Sequence, residues 1–376
     1  MSVRRSGGAR ADERFVARAI ELARRGIEAV SPNPMVGAVV VTRGRVVGEG
    51  FHAHFGGPHA EIDALRAAGS RALGATVYVS LEPCGHHGKT PPCAEALVGA
   101  GVARVVYAVG DPNPATRGCG PRLLRCHGIE VLSGVLRRAA LELNAPYFHW
   151  RASGRPWVIA KWAMSLDGKI ATAGGESRWI TSPAARARGH AMRRRVDAVL
   201  IGTRTARVDD PLLSPRPARG RAPARVVLDR RGTLPLALRL FAADSPAGGA
   251  GARICVTARA SAHRRRELAR RGVEVLEIAE RQGRLDLEEL LGALGERGIS
   301  QLLVEGGGEI VGGFVAARLV DEVLAFVAPR VLGGRAAPGA VAGEGVERLA
   351  DALRLERVRC ESVGADLLVS GTVARR

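Results

Sequence analysis

SLEPCGHHGKTPPC, at residues 80–93, follows an apolar stretch that has the pattern of a buried strand. The tripeptide H-A-E, at residues 59–61, precedes it at the expected start of a helix. One imidazole, of His59, and two thiols, of Cys84 and Cys93, are good zinc ligands that leave the fourth tetrahedral position to water. These three residues therefore predict a catalytic zinc site.

Glu61 is not needed as a ligand and is free to move protons. Zinc lowers the pKa of its bound water to about 7, so hydroxide can attack an amino-bearing ring carbon at neutral pH. Glu61 can then protonate the ring nitrogen and carry a proton to the departing ammonia. Zinc base deaminases work in this way, and their signature is H-x-E followed by P-C-x-x-C.

The spacing of the two cysteines differs from that signature, because residues 85–92 separate them. The nucleic-acid deaminase spacing therefore fails, although the chemistry is retained. A closed structural site, with His86 or His87 as the fourth ligand, is the alternative interpretation. An open site is favoured because it gives Glu61 a role.

Composition fits a globular protein of about two domains, with 376 residues of which 46% are hydrophobic. No apolar run reaches the length of a membrane span, and the basic start lacks the apolar segment of a secretory signal. Residues 1–15 are therefore expected to form a frayed tail of a cytoplasmic protein. Six cysteines in a chain of this size are typical of thiols or ligands rather than a disulfide framework.

The net charge of +19 predicts an arginine-rich solvated surface that also favours phosphorylated metabolites and an anionic dinucleotide. Aromatic residues make up only 4% of the chain, so stacking platforms for single-stranded nucleic acid are not indicated.

Apolar runs alternate with amphipathic stretches, which predicts α/β architecture in both halves of the chain. The first half carries a helix near residues 12–30, helices that begin near His59 and Pro92, and the strands VGAVVV, TVYVSL and RVVYAV. The second half carries the strands WVIAKWAM, AVLIG, ARVVLD, RICVT, VEVLEI and QLLVEGG, then a β-rich stretch after Asp321. Residues 144–156 lose apolar periodicity, so we expect domains at 1–148 and 149–376.

QLLVEGGG followed by EIVGGF, from residue 301 onward, predicts a glycine-rich junction between a strand and a helix. Glycines let the backbone approach a pyrophosphate, and the N–H groups of a helix N-terminus favour its charge. The spacing is not G-x-G-x-x-G, which argues against a plain Rossmann domain. Tight turns that need positive φ are the alternative reason for these glycines.

The motifs of the two halves together resemble the bifunctional deaminase–reductases of riboflavin biosynthesis. In the first half the resemblance rests on P-N-P-x-V-G (32–37), GFHAHFGGPHAE (50–61) and SLEPCGHHGKTPPC (80–93). In the second half it rests on KWAMSLDGKIA (161–171), GESRWIT (175–181) and IGTRTARVDDPLLSPR (201–216). It implies a cytidine-deaminase-like three-layer α/β/α domain followed by an α/β domain with the fold of dihydrofolate reductase.

The resemblance also implies two reactions and two cofactors, Zn²⁺ and NADPH. The first reaction removes the 2-amino group of 2,5-diamino-6-(5-phosphoribosylamino)pyrimidin-4-one. The second reduces the ribosyl group of 5-amino-6-(5-phosphoribosylamino)uracil to ribityl. The implied partner is this small phosphorylated pyrimidine, and neither a nucleic acid nor a membrane is expected as a partner. The protein is expected to be a homodimer or homotetramer. A tRNA or single-stranded DNA deaminase is the alternative function, and a zinc-stabilised binding module is the non-enzymatic one.

Site residues follow from the resemblance position by position. In the deaminase half it implies zinc ligands at His59, Cys84 and Cys93, a proton shuttle at Glu61, and substrate contacts at Asn33, His52, His86 and Lys89. In the reductase half it implies substrate contacts at Lys161, Ser177, Arg193, Leu213, Arg216 and Glu305. Cofactor contacts are implied at Ala163, Trp179, Thr205 and Asp209, and at Gly307, Gly308, Glu309, Ile310, Val311, Gly312 and Gly313.

Two segments depart from the family pattern. Arg230-Arg231-Gly232 stands where the family has a serine at a cofactor contact, which suggests the hypothesis that Arg230 meets the 2′-phosphate of NADPH. RGCGPRLLRCHGIEV replaces a G-K-G-rich run, and we interpret its Cys119 and Cys126 as core or surface thiols.

Overall fold

The structure is a computed structural model that describes residues 3–86, 91–216, 221–242 and 251–374. It divides into two compact units, Met1–Ser153 and Gly154–Arg376. None of the helices in the described ranges is both long enough and apolar enough to cross a bilayer.

The first unit is built on a five-stranded sheet. Its helices are α1 (Val3–Ala23), α2 (Ala60–Ala68), α3 (Cys93–Gly99), α4 (Cys119–Cys126), α5 (Arg137–Leu143) and α6 (Ala145–Ser153). Its strands are β1 (Gly37–Thr42), β2 (Arg45–Phe51), β3 (Thr76–Val79), β4 (Arg104–Tyr107) and β5 (Glu130–Ser133). The sheet order is β2-β1-β3-β4-β5, with β1 antiparallel to both of its neighbours and β3, β4 and β5 parallel.

Helices cover both faces of this sheet. Successive side chains of a strand point to opposite faces, so neighbouring residues of β1 pack against different helices. Val40 of β1 packs in a cluster with apolar residues of α2, α3 and α4. Val39, the preceding residue, packs in a second cluster with residues of α1 and α5. The first unit therefore has the three-layer α/β/α arrangement that the sequence predicted.

Strand β2 was not predicted, because its glycines interrupt the strand pattern. A Cβ on Gly48 would lie 2.2 Å from the carbonyl oxygen of Ala64, and one on Gly50 would lie 2.4 Å from that of Ala60. Both positions are glycine because α2 lies directly on the strand. This close packing fixes the start of α2, where the predicted zinc ligand His59 stands.

The expected frayed tail is wrong from Val3 onward, because α1 begins there. Phe15 and Ile20 of this helix are buried against the sheet. Once that face nucleates a helix, each residue added towards the N-terminus gains one more backbone hydrogen bond. The helix also ends earlier than predicted, since Gly26 follows in a 3-10 turn, where a Cβ would lie 2.5 Å from the carbonyl oxygen of His52.

The division between the units lies after Ser153, whereas the sequence led us to expect it after residue 148. The side-chain amide of Asn144 accepts from the backbone N–H of Met35 at 2.9 Å and donates to its carbonyl at 2.8 Å. The Tyr147 hydroxyl donates to Asp111 at 2.9 Å. These polar contacts hold α6 on the first unit. The predicted boundary was based on apolar periodicity, which gives no information about polar contacts.

The second unit is built on a nine-stranded sheet. Its helices are α7 (Pro183–Met192), α8 (Thr203–Asp209), α9 (Ala262–Arg270), α10 (Leu287–Glu296) and α11 (Gly308–Ala316). Its strands are β6 (Trp157–Ser165), β7 (Ala198–Gly202), β8 (Ala224–Leu228), β9 (Arg253–Thr257), β10 (Glu274–Glu277), the short hairpin β11 (Glu280–Arg281) and β12 (Arg284–Leu285), β13 (Gln301–Val304), β14 (Glu322–Ala328), β15 (Leu355–Val363) and β16 (Asp366–Val373).

The large sheet has the order β10-β9-β8-β7-β13-β6-β14-β16-β15, and only the pairs that involve β16 are antiparallel. Every strand predicted in this half is present, whereas the β11–β12 and β15–β16 hairpins were not predicted. The carboxyl ends of β7, β8, β13 and β6 meet along one edge of the sheet, which is where open α/β sheets bind ligands.

Candidate functional site

The three predicted zinc ligands lie together in the first unit. The Nδ1 atom of His59 is 3.1 Å from the Sγ atom of Cys93 and 3.5 Å from that of Cys84. One ligand atom from each residue lies within 4.8 Å of the others. An imidazole nitrogen and two sulfurs are the donors that zinc prefers, and three protein ligands leave a tetrahedral ion one open position. The residues present therefore fit a catalytic zinc ion.

Two helix starts and one strand end bring these ligands together. His59 is the residue immediately before α2, and Cys93 is the first residue of α3, directly after Pro92. Cys84 follows the end of β3, and its sulfur accepts a hydrogen bond from the backbone N–H of Cys93 at 3.3 Å. The ligand positions are thus fixed by the backbone rather than by flexible side chains.

The two thiols differ in their readiness to lose a proton. The Cys93 thiol and then the His59 ring, by hydrogen bonding to its sulfur, lower the pKa of Cys84 to about 4 against the opposing effect of burial. The same sharing of a proton with Cys84, together with burial, raises the pKa of Cys93. One thiolate is therefore available for a cation before the second proton leaves.

Glu61 lies in the first turn of α2 and is almost completely buried. Burial, and then the negative charge of Cys84, raise the pKa of Glu61 to about 7. A carboxyl group with that pKa can both accept and donate a proton at neutral pH. It does not belong to the His59–Cys84–Cys93 ligand cluster.

Asn33 and His52 form a second polar pair beside the metal cluster. The Nδ1 atom of His52 is 2.8 Å from the carbonyl oxygen of Pro58, so that nitrogen carries the hydrogen. Burial lowers the pKa of His52, which keeps the ring neutral and leaves Nε2 to accept from the Asn33 amide at 3.1 Å. The His52 and His59 rings meet edge to face with centroids 5.6 Å apart.

His86 is also near this cluster in sequence, but it is not among the ligands. Its Nδ1 atom is buried and has no hydrogen-bond partner in the part of the chain that the structure describes. The ligand cluster found among the described residues consists of His59, Cys84 and Cys93, so it does not make His86 the fourth ligand of a closed site. Lys89 and His87 lie outside the described residues.

Sequence reasoning missed the polar groups that hold the metal loop. The Ser80 hydroxyl accepts from the backbone N–H of Gly37 at 3.0 Å. The buried Glu82 carboxylate accepts from the backbone N–H groups of Asp111 and Gly118. An acidic residue directly after a buried strand, as in Leu81-Glu82, was the available signal.

Helix α4 also supports this loop, which accounts for part of the segment around Gly118. A Cβ on Gly120 would lie 1.8 Å from the carbonyl oxygen of Pro83, so only glycine allows the approach. The adjacent Cys119 is partly buried and Cys126 is exposed, and both are free thiols. Neither belongs to the metal cluster among the described residues.

The second unit carries a buried cluster of ions. Arg193 contacts the Glu305 carboxylate with two hydrogen bonds, from Nε at 2.8 Å and from Nη2 at 2.9 Å. The Nζ atom of Lys161 lies 3.6 Å from the same carboxylate. Burial alone would raise the pKa of Glu305, but the charges of Arg193 and Lys161 hold it at about 2.

Strand register explains why these distant residues meet. Val304 of β13 lies opposite Ala160 of β6, so the residues that follow each of them, Glu305 and Lys161, are neighbours at the same level. Ala163 lies two residues further along β6 and so shares a face with Lys161. Arg193 reaches the carboxylate from the C-terminal end of α7.

The glycine-rich stretch is the junction that the sequence predicted, with α11 starting at Gly308 after Gly307 as its cap. The described glycines with positive φ do not include these residues, so tight turns do not explain them. A Cβ on Gly312 would lie 1.8 Å from the carbonyl oxygen of Ala342, and one on Gly308 would lie 2.5 Å from that of Gly339. These two glycines are needed for the close approach of the neighbouring backbone.

Gly307 is different, because a Cβ there would meet only the Thr205 hydroxyl, at 3.7 Å. The cap of α11 therefore faces α8, which brings two expected cofactor contacts together. Glu309 is exposed, Ile310 and Gly313 are partly buried, and Val311 is completely enclosed in the core.

The remaining expected contacts lie in varied surroundings. The guanidinium carbon of Arg178 lies 6.0 Å from the centre of the exposed Trp179 ring. The Nη2 atom of Arg178 donates a hydrogen bond to the Asp209 carboxylate at 3.1 Å. Leu213 is only 2% exposed, so its side chain is enclosed by protein. Ser177 is partly buried and Arg216 is exposed.

Arg230 follows β8 at the carboxyl edge of the sheet, and its side chain already has an acidic partner. Its Nη1 donates to Glu280 at 2.8 Å, and Arg259 binds the same carboxylate at 2.7 Å. A phosphate that bound Arg230 would have to compete with Glu280.

Comparisons with known proteins identify the type of domain that each unit forms. The family model for the cytidine and deoxycytidylate deaminase zinc-binding region matches residues 9–109, and the model for the RibD C-terminal domain matches residues 156–369. The first unit is thus a zinc-binding deaminase domain, and the second is a reductase domain of the type that uses NADPH.

Relatives match nearly the whole chain. The riboflavin biosynthesis protein RibD of Bacillus amyloliquefaciens is 41% identical over 95% of this chain and 95% of its own length. RibD of Escherichia coli is 40% identical over 95% of this chain and 98% of its own length.

Solved structures match over the same extent. One structure of Acinetobacter baumannii RibD covers 98% of this chain and 100% of its own, with a TM-score of 0.87 and 38% identity. The diaminohydroxyphosphoribosylaminopyrimidine deaminase/5-amino-6-(5-phosphoribosylamino)uracil reductase of Thermotoga maritima covers the same shares, with a TM-score of 0.83 and 36% identity. From these matches and from the two sites it carries, the chain belongs to the RibD family of bifunctional deaminases and reductases of riboflavin biosynthesis.

Proposed function

We propose that the first unit removes the 2-amino group of 2,5-diamino-6-(5-phosphoribosylamino)pyrimidin-4-one as ammonia. The second unit then reduces the ribosyl group of the resulting 5-amino-6-(5-phosphoribosylamino)uracil to ribityl. The observation that carries the first assignment is a cluster of three zinc ligands beside a buried carboxyl group that is not a ligand. The Thermotoga maritima relative carries both activities in its name.

His59, Cys84 and Cys93 hold the metal in this proposal, and zinc bound there makes hydroxide available near neutral pH. Glu61 takes a proton from the water that supplies the hydroxide and delivers it to the pyrimidine ring nitrogen. It then takes the proton of the hydroxyl group added to the ring and delivers it to the amino group, which leaves as ammonia. Its burial supports this role, because a carboxyl group with a pKa near 7 exchanges protons readily at neutral pH. Asn33 and His52 bind the polar edge of the ring, and His86 and Lys89 bind its sugar phosphate.

Reduction in the second unit requires hydride delivery to C1′ of an opened, imine-like sugar, and NADPH supplies the hydride when it is bound. We assign the cofactor to Ala163, Trp179, Thr205, Asp209 and residues 307–313. The backbone N–H groups that begin α11 support this assignment, since they attract a pyrophosphate. The substrate contacts are Lys161, Ser177, Arg193, Leu213, Arg216 and Glu305, with Leu213 contributing through its backbone because its side chain is enclosed.

A cytoplasmic location and a homodimer or homotetramer complete the proposal. Zinc ligation by cysteine needs reduced thiols, which the cytoplasm maintains, and all six cysteines are free in the structure. Leu349 and Val358 of the second unit expose apolar side chains that a second copy could cover. Light scattering of the purified protein would measure the oligomeric mass.

Glu61→Gln tests the deaminase assignment, because glutamine keeps the shape of glutamate but cannot carry the proton. We expect ammonia release from the diaminopyrimidine phosphate to fall about 10²- to 10⁴-fold with zinc content unchanged. Glu95→Gln, on the exposed face of α3, is the control and should keep full activity. Full ammonia release by Glu61→Gln would refute the proposal and favour a metal that only stabilises the fold.

A further inference from the structure

His190 is a histidine of the second unit that lies beside the buried ion cluster. It lies on α7, three residues before Arg193, so the two side chains share one face of the helix. Its Nδ1 atom is 3.3 Å from the Nη1 atom of Arg193. The guanidinium can only donate, so Nδ1 is the acceptor in this hydrogen bond.

This contact fixes the tautomer of the ring. A neutral imidazole that accepts at Nδ1 carries its hydrogen on Nε2. None of the residues that the structure describes forms a hydrogen bond with that Nε2 atom. His190 therefore offers one oriented N–H group that the protein itself does not use.

Arg193, by contrast, uses most of its N–H groups within the protein. Two of its N–H groups bind Glu305, and Nη1 donates to the carbonyl oxygen of Ser214 at 3.1 Å as well as to His190. Its side chain is only 12% exposed. The guanidinium thus has four protein contacts for its five N–H groups, so it holds Glu305 and His190 and keeps one N–H group for the substrate.

The charges around His190 favour an anionic ligand. Arg193 after α7, Lys161 on β6, Arg216 in the loop after α8 and Glu305 after β13 all act on the ring. Three cations and one carboxylate leave two positive charges, which match a phosphate monoester near neutral pH. Burial, and then the charges of Arg193 and Arg216, lower the pKa of His190 to about 4, so the ring is neutral when it meets that ligand.

We propose that His190 is a further substrate-binding residue of the reductase site, which donates its Nε2–H to the phosphate of the substrate while Arg193 holds the ring in place. The exposed Arg216 supplies the cation for the same phosphate. This inference rests on the proposed reduction of a phosphorylated ribosyl compound.

Two near-isosteric substitutions separate the two nitrogens of the ring. The amide of Asn at position 190 reaches about as far as Nδ1, so His190→Asn can keep the contact with Arg193 but loses the distal donor. The amide of Gln reaches about as far as Nε2, so His190→Gln keeps a donor towards the substrate. His263→Asn, on the exposed surface of α9, is the matched control.

The measurement is steady-state reduction of 5-amino-6-(5-phosphoribosylamino)uracil and of the same compound without its phosphate. For His190→Asn we expect KM for the phosphorylated compound to rise about 10- to 100-fold, as for loss of a hydrogen bond to a charged group. The kinetics for the dephosphorylated compound should equal those of the unmodified enzyme. His190→Gln should restore most of the affinity for the phosphorylated compound.

Other outcomes would overturn the inference. If His190→Asn behaves as the unmodified enzyme and His190→Gln is impaired, the histidine only supports Arg193. Equal losses with both compounds would likewise remove the phosphate from its role. The unmodified enzyme is assayed alongside, so absence of reductase activity there would refute the proposed function rather than the role of His190.

Discussion

The metal cluster of the first unit and the ion cluster of the second differ in how far apart along the chain their residues lie. The metal cluster takes its ligands from residues 59–93, at two helix starts and one strand end. The ion cluster takes Lys161, Arg193 and Glu305 from parts of the chain that are far apart in sequence, and strand register brings two of them together. The first cluster is fixed by local structure and the second by the tertiary fold.

The two clusters also manage charge differently. The imidazole and the two sulfurs lie close enough to hold one cation, so a metal completes that site. The Glu305 carboxylate is paired with two cations of the protein itself, Arg193 and Lys161. Loss of one residue should therefore remove the metal in the first case and destabilise the fold in the second.

Cys93→Ala gives the largest expected effect. Loss of one of three ligands should release the zinc, and ammonia release should fall to the background rate while reduction of the aminouracil continues. Atomic absorption of zinc and the two activities, each assayed with its own substrate, are the measurements. Cys360→Ala, at an exposed thiol, is the control. A variant that keeps both zinc and deaminase activity would contradict the ligand assignment.

Glu305→Gln should affect activity and stability together. It leaves the buried Arg193 without its countercharge, which costs about 3–5 kcal/mol of folding free energy. Urea unfolding of the second unit and NADPH oxidation are the measurements, with the exposed Glu356→Gln as control. The double variant Arg193→Met/Glu305→Leu should recover much of the stability but none of the reductase activity. Unchanged stability of Glu305→Gln would mean that the ion pair is not buried in solution.

Gly312→Ala probes the close packing behind the expected cofactor site. The new methyl group meets the carbonyl oxygen of Ala342, so we expect a loss of about 1–3 kcal/mol and weaker NADPH binding. Denaturant unfolding and a cofactor titration are the measurements. Gly292→Ala in α10 is matched, because a Cβ there meets no atom within 4 Å, and it should instead stabilise by about 0.5–1 kcal/mol. If both variants behave alike, the backbone of Ala342 does not approach Gly312 this closely in solution.

The smallest expected effect is the pH dependence of stability that His190 contributes. Its pKa is about 4 in the folded protein and near 6.5 in the unfolded chain. The unfolded chain therefore binds a proton first, so stability is complete above pH 6.5 and falls as the pH decreases towards 4. His190→Asn should flatten the unfolding free energy over that range by about 1–2 kcal/mol, after allowing for solvent screening of a half-buried ring. An unchanged slope would place the ring in solvent.

Local patterns predicted much of the molecule. The strands with uninterrupted apolar runs are all present, because burial of such runs is strongly favourable whatever surrounds them. Strands β2 and β5, the short β11–β12 hairpin and the β15–β16 hairpin escaped prediction. The glycines of β2 are explained only by the helix that lies on them, and β15 is an edge strand with a largely exposed pattern.

The amino-acid sequence alone predicted the three residues of the metal cluster, the deaminase domain and the strand-to-helix junction at Gly307, since each depends on residues that are close along the chain. Only the tertiary structure decided that Gly312 lies against the backbone of Ala342 and that Arg230 forms an ion pair with Glu280. It also decided that Arg193 donates hydrogen bonds to both His190 and Glu305. The physical reason is that contacts between distant segments depend on the order and register of strands, which side-chain periodicity does not encode.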